Sequence, residues 1–236
     1  MHIRGLSGLM LMLLGAAACT GPEMDATRTS ATAPVGAEEV TAEVLELPAP
    51  HPRSDLSFEE VLAARRSVRE FSDEPLTNQD LSQLLWAAQG MTAPWGGRTA
   101  PSAGALYPLE VYLVTPEGLY HYLPDGHRLE TLADEDRRPA LARAALGQEA
   151  VADAPAVVIL TAVYARTSQK YGDRAERYVH LEAGHAAQNV LLQAVSLGLG
   201  AVPIGAFEDR AVQEALGLPS DHEPLYLIPV GHPAPA

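Results

Sequence analysis

The chain has 236 residues, of which 47% are hydrophobic and 19% charged, an ordinary composition for one globular domain with a substantial core. It carries 16 Lys and Arg against 30 Asp and Glu, a formal charge of -14. Nucleic-acid binding requires clustered basic residues, so this charge argues against a nucleic-acid partner. The single cysteine excludes an internal disulfide.

The first 18 residues predict a signal peptide, because Arg4 is followed by an apolar run at 9–14 and then by small residues. That run is shorter than the roughly 20 residues that span a bilayer. Cys19 comes next, and the segment resembles a bacterial lipobox, although Ala16 stands where Leu is usual. The resemblance implies cleavage, lipidation of Cys19, export, and anchoring to a membrane on the periplasmic side of the cell envelope. Ordinary cleavage that leaves a free thiol is the alternative.

Residues 19–53 are predicted to be the lipidated cysteine and a flexible tether. They are rich in Thr, Ala, Pro and Glu and bury too little apolar surface to offset the entropy of ordering. A short apolar stretch at Val44, Leu45 and Leu47 is expected to pack on the domain. The folded domain is expected at 54–236.

Within the domain, two capping boxes begin helices at Ser57–Glu60 and Thr77–Asp80. The second helix is expected to end at Gly90, before a Gly- and Pro-rich loop at 91–104. The later apolar patterns predict, in chain order, a strand at 109–115, a hairpin from 119–122 and 127–132, a helix at 138–146, a strand at 156–164, a helix at 175–197, a short segment at 201–204, a helix at 209–216 and a strand at 224–230. This mixture without regular βαβ alternation favours an α+β fold.

The sharpest motif follows the first helix: Arg65-Arg66-Ser67-Val68-Arg69. Three guanidiniums and a hydroxyl within five residues predict an anion site with planar, bidentate donors. A solvated basic face is the ordinary alternative for a charge run. The chain has few basic residues, however, and three of them lie here between apolar segments.

This Arg-Arg-Ser-x-Arg-x-Phe motif, with the helix that follows, resembles the opening of the nitroreductase family, and the resemblance continues in order over about residues 54–233. It implies an FMN-dependent oxidoreductase that transfers hydride to or from flavin N5. Arg65, Arg66, Ser67 and Arg69 would bind the FMN phosphate, ribityl chain and pyrimidine edge. The implied fold is a central, mostly antiparallel sheet flanked by helices, in a homodimer with shared FMN sites.

Three later segments resemble other parts of that family's site. Pro101–Pro108 would lie beside the isoalloxazine ring and be supplied across the dimer, Leu181–Asn189 would belong to the central dimer helix, and Ala201–Phe207 would cover the ring. The implied FMN-binding residues are Ser102, Ala103, Gly104, Gln188, Asn189, Pro203, Ile204 and Gly205. Backbone amides at and near Gly205 would stabilise charge close to N5. Taken singly, each segment is also explained as a turn, a buried helix or a Pro-Gly connection.

Two features limit which groups the site is expected to bind with. The last strand resembles the family's C-terminal strand, but the basic residue that commonly follows it is missing, so phosphate binding would depend on Arg65 and Arg69, with His232 as a further candidate. His180 and His185 are five residues apart, off the i,i+4 spacing that converges on a metal, and no metal is expected.

Lys170-Tyr171-Gly172 resembles the Lys-Tyr pair of the SagB-type dehydrogenase branch, where the pair is associated with proton removal as an azoline is oxidised to an azole. Lys170 and Tyr171 are therefore candidate catalytic residues, and a plain surface loop is the alternative.

The substrate is expected to be a small molecule or a peptide. Other hypotheses are an NAD(P)H-dependent nitro- or quinone reductase, whose donor is not expected outside the cytoplasm, and a non-catalytic flavin- or ligand-binding lipoprotein.

Overall fold

The structure, a computed structural model, describes residues 43–235. The predicted signal peptide, Cys19 and the tether as far as residue 42 lie outside the described residues. Among the helices of residues 43–235, none has the length and apolar character needed to cross a membrane.

Seven helices and seven strands follow one another along the described chain. The helices are α1 (Phe58–Ala64), α2 (Asn78–Gln89), α3 (Arg138–Ala144), α4 (Glu149–Asp153), α5 (Tyr164–Tyr171), α6 (Ala175–Ser196) and α7 (Asp209–Leu216). The strands are β1 (Val44–Glu46), β2 (Leu109–Thr115), β3 (Gly118–Leu123), β4 (Arg128–Ala133), β5 (Ala156–Ala162), β6 (Gly200–Ala201) and β7 (Glu223–Gly231). Short 3-10 turns lie at Ala103–Ala105 and Gly172–Arg174.

The strands form one seven-stranded sheet in the order β1-β4-β3-β2-β5-β7-β6, and every neighbouring pair is antiparallel. All seven residues of β5 are buried, because helices cover both faces of the sheet. The predicted α+β fold with an antiparallel sheet flanked by helices is confirmed.

Successive residues of β5 supply two separate cores, as the period of two in a strand requires. Val158 and Leu160 pack in the core on the side of α2 and α6. Val157 and Ile159 pack in the core on the side of α3, α4 and α7. The long helix α6 contributes Val179, Ala183, Ala186, Val190 and Ala194 to the first core.

The registers of β5 with its two neighbours decide which connections meet. Leu109 of β2 pairs with Ala162 of β5, so the segment before β2 and the segment after β5 emerge at the same end of the sheet. Just beyond this pair, the Val163 N–H donates to the Pro108 carbonyl at 2.8 Å. At the other end of β5, Ala156 pairs with Val230 of β7.

Both predicted capping boxes are present. The Ser57 hydroxyl accepts from the Glu60 N–H at 3.2 Å, and the Glu60 carboxylate accepts from the Ser57 N–H at 2.7 Å. Thr77 and Asp80 make the same reciprocal pair at the start of α2. Each box satisfies N–H groups that a helix start leaves without an intrahelical partner.

The structure bears on the sequence prediction at residues 44–48 and at residues 149–171. The expected packing of Val44, Leu45 and Leu47 on the domain is confirmed, since β1 pairs with β4 and Leu47 packs against the first core. The Ser82 hydroxyl donates to the Pro48 carbonyl at 2.6 Å, so these residues of the predicted tether are held on the domain. Helix α5 lies where the prediction extended a strand to Tyr164 and left a loop. Helix α4, five residues long, was not predicted. Helix α5 buries only Thr167, and α4 buries only Ala150 and Val151, so neither has the apolar stripe of helical period that would predict it from the sequence.

Candidate functional site

The Arg65–Arg69 segment leaves α1 and runs beside β6 at the edge of the sheet. The Val68 N–H donates to the Ala201 carbonyl at 3.1 Å, and Ser67 forms a parallel bridge with Ala201. Gly200 allows this approach, because a Cβ there would lie 2.6 Å from the Val68 Cβ. The basic segment therefore meets the start of the Ala201–Phe207 segment, as the resemblance implied.

The polar side chains of this segment differ in exposure and in whether their hydrogen-bond donors are already used. Arg65 is half-buried, whereas Arg66, Ser67 and Arg69 are exposed. Within residues 43–235, neither Arg65 nor Arg69 forms an ion pair. Arg66 Nη1 instead donates to the Ala63 and Arg65 carbonyls at 2.9 and 2.7 Å, closing the C-terminal end of α1. Arg65 and Arg69 are thus the freer anion donors.

The C-terminal end of the described chain borders the same segment. The Ser72 N–H donates to the His232 carbonyl at 2.9 Å, and the Ala234 N–H donates to the Glu70 carbonyl at 3.0 Å. His232 is half-buried, with Nε2 3.9 Å from a Glu74 carboxylate oxygen. His232 therefore lies beside the residues that follow Arg69, and its part in phosphate binding stays a prediction.

Among Pro203, Ile204 and Gly205, one backbone donor is free. Proline has no N–H, and the Ile204 N–H donates to the Leu227 carbonyl at 2.8 Å. Gly205 is exposed, its N–H has no acceptor within residues 43–235, and a Cβ added there would meet no atom within 4 Å. The expectation of several free amides narrows to Gly205, and Ile204 contributes packing instead of a donor.

The turn between Ser102 and Tyr107 has a strained backbone. Ala105 and Tyr107 have φ of 54° and 46°, and Gly104 between Ser102 and Ala105 has φ of 65°. Positive φ is uncommon for residues with a side chain, and such strain persists only when surrounding contacts hold it. Here the Ser102 hydroxyl accepts from the Tyr107 N–H at 2.9 Å, and the Arg98 guanidinium lies 4.4 Å from the centre of the Tyr107 ring.

The two candidate catalytic residues meet this turn at Gly104. A Cβ at position 104 would lie 2.8 Å from the Tyr171 hydroxyl oxygen and 2.9 Å from Lys170 Nζ. A side chain at position 104 would therefore have to displace both groups from this point of the turn. Lys170 Nζ also lies 5.5 Å from the centre of the Tyr171 ring. The alternative interpretation of these residues as a surface loop is wrong, because both belong to the last turn of α5.

Lys170 had a further signal in the sequence: it is the only lysine among 236 residues, beside 15 arginines. Arg166 was not predicted as a site residue. It lies one helical turn before Lys170, and this relation is visible only once α5 is known to be a helix. Its guanidinium reaches the carbonyl of Tyr107 at 3.0 Å.

Behind the turn, α6 presents the buried carboxyl of Glu182. Glu182 is 2% exposed, and its Oε1 has no hydrogen-bond partner within residues 43–235. Burial raises the pKa of Glu182 to about 7, against the opposing effects of Ser102, Arg98 and Gln89. The group borders a cavity of about 300 Å³ formed by Pro101–Ala103 and α6.

The remaining candidate residues on α6 lie on different sides of the helix and differ in exposure and in hydrogen-bond partners. Asn189 is half-buried and its Nδ2 donates to the Thr99 carbonyl at 3.4 Å, which connects α6 to the segment before Pro101. Gln188 is exposed. His180 is exposed and its Nε2 lies 2.7 Å from the Tyr164 hydroxyl. In the described part of the chain, no three metal-ligating side chains converge.

The predicted site residues thus form two groups. The basic group comprises Arg65–Arg69 and the Pro203–Gly205 segment, and the turn group comprises Ser102–Gly104 with Lys170 and Tyr171. Arg65–Arg69 lies beside the end of β5 at Ala156, and the turn group lies at the end at Ala162. At about 3.4 Å per residue, these ends of β5 are roughly 20 Å apart.

The protonation of Glu182 should make stability depend on pH. The folded protein binds this proton more tightly than the unfolded chain, whose pKa is near 4.5. Its contribution is therefore complete below about pH 4.5 and is lost as the pH rises through about 7. Between pH 5.5 and 8 the loss is about 2 kcal/mol. Urea unfolding at both pH values should show that Glu182→Gln lacks this part of the decline, whereas Glu176→Gln, at an exposed position of α6, keeps it. A variant that declines like the parent would contradict the assignment.

Comparison with known proteins places these features in one family. A model of the nitroreductase family matches residues 62–232. A protein of Methanocaldococcus jannaschii named as a nitroreductase is 49% identical over 183 residues, which cover 75% of this chain and 91% of that protein. A crystal structure of a Ralstonia eutropha protein, also named as a nitroreductase, superposes with a TM-score of 0.75 at 35% identity and covers 82% of this chain and 90% of its own. The NADPH:FMN oxidoreductase of Vibrio harveyi, solved with NAD+, gives a TM-score of 0.57 at 26% identity, covering 75% and 69%. The chain belongs to the nitroreductase family.

Proposed function

We propose that this chain is an FMN-dependent oxidoreductase that transfers hydride to or from flavin N5, and that it is a SagB-type dehydrogenase within its family. The observation that carries this proposal is the meeting of Lys170 and Tyr171 at Gly104, on the segment expected beside the isoalloxazine ring. The name of the Vibrio harveyi relative, an NADPH:FMN oxidoreductase, supports the choice of cofactor.

The residues present fit a phosphate-bearing cofactor. Arg65 and Arg69 offer guanidiniums that no carboxylate within residues 43–235 occupies, and Ser67 adds an exposed hydroxyl. Arg66 retains its other N–H groups while Nη1 closes α1. Bound FMN would supply the hydride chemistry, and Gly205 would donate its backbone N–H toward the ring, where a fixed dipole stabilises negative charge.

The Lys-Tyr pair supplies the proton chemistry. In its neutral form, Lys170 Nζ accepts a proton from the substrate carbon or nitrogen that neighbours the carbon losing hydride. The Tyr171 hydroxyl, at the same point of the turn, relays that proton or holds the substrate by a hydrogen bond. The substrate that this arrangement serves is a small molecule or a peptide whose oxidation releases one hydride and one proton.

A homodimer would complete the site. Arg65–Arg69 and the turn group lie near opposite ends of β5, and a second copy of the chain related by a two-fold axis would bring the turn group of one copy to the basic group of the other. Exposed apolar side chains, among them Phe58, Trp95 and Leu181, support such an interface. Light scattering on the flavin-loaded protein should give twice the mass of the chain, and a monomer that keeps flavin would contradict the shared site.

A second candidate function is reduction of nitro compounds or quinones with NAD(P)H. The NADPH in the name of the Vibrio harveyi relative favours it, and the proposed export of this chain disfavours it. Anaerobic mixing of the purified protein with NADPH decides between them, since bleaching of the flavin by NADPH would identify a reductase. A colourless protein that takes up no FMN would contradict both functions and leave a ligand-binding lipoprotein.

Removal of the Arg65 guanidinium should weaken FMN retention. Loss of a hydrogen bond to a charged group costs about 1.5–3 kcal/mol, which corresponds to about 10- to 100-fold in Kd. Flavin stoichiometry and FMN titration of Arg65→Ala measure the effect. The control is Arg143→Ala, at an exposed position of α3. An unchanged FMN affinity in Arg65→Ala would refute the phosphate assignment.

Replacement of the only lysine should separate chemistry from cofactor binding. Lys170→Gln should keep its flavin while turnover falls by about 10²- to 10⁴-fold, the usual contribution of a general base. The measurement is flavin reduction in a single turnover by whichever reductant an anaerobic screen identifies. Arg174→Gln, which removes a nearby exposed cation, should retain activity. Loss of flavin from Lys170→Gln would indicate a structural role instead.

The anchor remains a proposal that depends on Cys19 and on the segment before it. A lipid chain on Cys19 would hold the protein on a membrane, and residues 20–42 would give the domain reach. Cys19→Ser should therefore move the protein from the membrane fraction to the soluble fraction when it is expressed in a bacterium. Membrane association that persists in this variant would count against lipidation.

A further inference from the structure

Lys170 and Tyr171 occupy the last turn of α5, a helix that is not stable without contacts to the rest of the fold. It has eight residues, and no side chain caps its N-terminus. Helices this short are marginal in water without tertiary contacts. The placement of both residues at Gly104 must therefore be fixed by contacts between α5 and the rest of the fold.

Arg166 makes such a contact, one helical turn before Lys170. Its Nη1 donates to the Tyr107 carbonyl at 3.0 Å, and its Nη2 pairs with a Glu110 carboxylate oxygen. One planar guanidinium thus joins α5 both to the end of the strained turn and to the start of β2. Because the fork of donors is rigid, the two bonds fix direction as well as distance.

Glu110 is itself held by the sheet. Its second carboxylate oxygen lies 2.7 Å from His121 Nε2 of β3, and the His121 ring stacks on the Tyr112 ring at 4.7 Å. Burial opposes ionisation of Glu110, but the hydrogen bonds from His121 and Arg166 outweigh it and hold the pKa of Glu110 below its ordinary value. The carboxylate is a charged, immobile anchor at neutral pH.

We propose that Arg166 and Glu110 are positioning residues, which hold Lys170 and Tyr171 against Gly104 by tying α5 to the turn and to the first residues of β2. The proposal deepens the proposed function, since it concerns the residues to which that function assigns proton removal. Neither Arg166 nor Glu110 touches the reacting groups; each acts through the placement of α5.

The single lysine provides a direct reading of this placement. Protein grown with lysine labelled by carbon-13 at Cε has one lysine signal, which belongs to Lys170. In the full-length, flavin-loaded protein, a side chain fixed beside Gly104 should show two distinct Hε shifts and a Cε shift unlike that of the denatured chain. A freely rotating side chain shows one averaged Hε signal. The visible spectrum reports the flavin separately, so a colourless protein and a displaced lysine are distinguishable results.

Glu110→Gln and Arg166→Gln should each merge the two Hε signals and move the Cε shift toward its denatured value. The double variant should differ little from Arg166→Gln, because that substitution already breaks the pair between Arg166 and Glu110. Arg174→Gln removes a positive charge from the exposed turn after α5 and should leave the lysine spectrum unchanged. Circular dichroism checks that each variant is folded.

If Arg166→Gln does not fold, Arg166→Met, which keeps the apolar stem, replaces it. Folded variants at both Glu110 and Arg166 whose Lys170 signals match the parent protein would overturn the proposal. A spectrum of the parent protein that already shows averaged Hε signals would overturn it too.

Discussion

The antiparallel pairing of β2 with β5 is the interaction on which the candidate site depends. Its register places Leu109 opposite Ala162, so the turn that precedes β2 and the helix that follows β5 leave the sheet side by side. The hydrogen bond from Val163 to Pro108 extends the pairing by one residue beyond the strands. A shift of this register by one residue would turn β5 over and exchange its two buried faces. The packing of both cores therefore also fixes the meeting of Gly104 with α5.

The same strand sets the distance between the two groups of site residues. On its other side β5 pairs with β7, whose end lies beside β6 and the Arg65–Arg69 segment. The basic segment is thus tied to the sheet edge by backbone bonds, and its side chains stay at the surface. The turn is held in another way, through Tyr107. The Arg98 guanidinium lies over the Tyr107 ring, Arg166 donates to the Tyr107 carbonyl, and the Ser102 hydroxyl accepts from the Tyr107 N–H. A site built from both groups would combine a segment fixed by backbone hydrogen bonds with a strained turn that side-chain contacts hold in place.

The half-buried carboxyl of Glu110 and the buried carboxyl of Glu182 have opposite electrostatic character. Glu110 is paired with Arg166 and His121, and its pKa is lowered because those partners favour the carboxylate. Glu182 has an oxygen without a partner in residues 43–235, and burial raises its pKa to about 7. One carboxyl thus serves as a fixed charge, whereas the other changes its charge near neutral pH. Neighbouring acids whose environments separate their pKa values in this way are common at functional sites.

The sequence alone determined the features that depend on local chemistry. Ser57 and Thr77 predicted two helix starts, since capping uses side chains only three residues apart, and apolar runs predicted the strands, among them the fully buried β5. The order of its motifs indicated the family. The tertiary structure alone decided which distant residues meet. Helix α5 buries only Thr167, so no apolar stripe predicted a helix there, and the position of Lys170 and Tyr171 and the role of Arg166 were hidden. The pairing of Ile204 with Leu227, which removes a predicted donor, also joins residues far apart in sequence. Such contacts follow from strand register and core packing, which the spacing of residues along the chain does not encode.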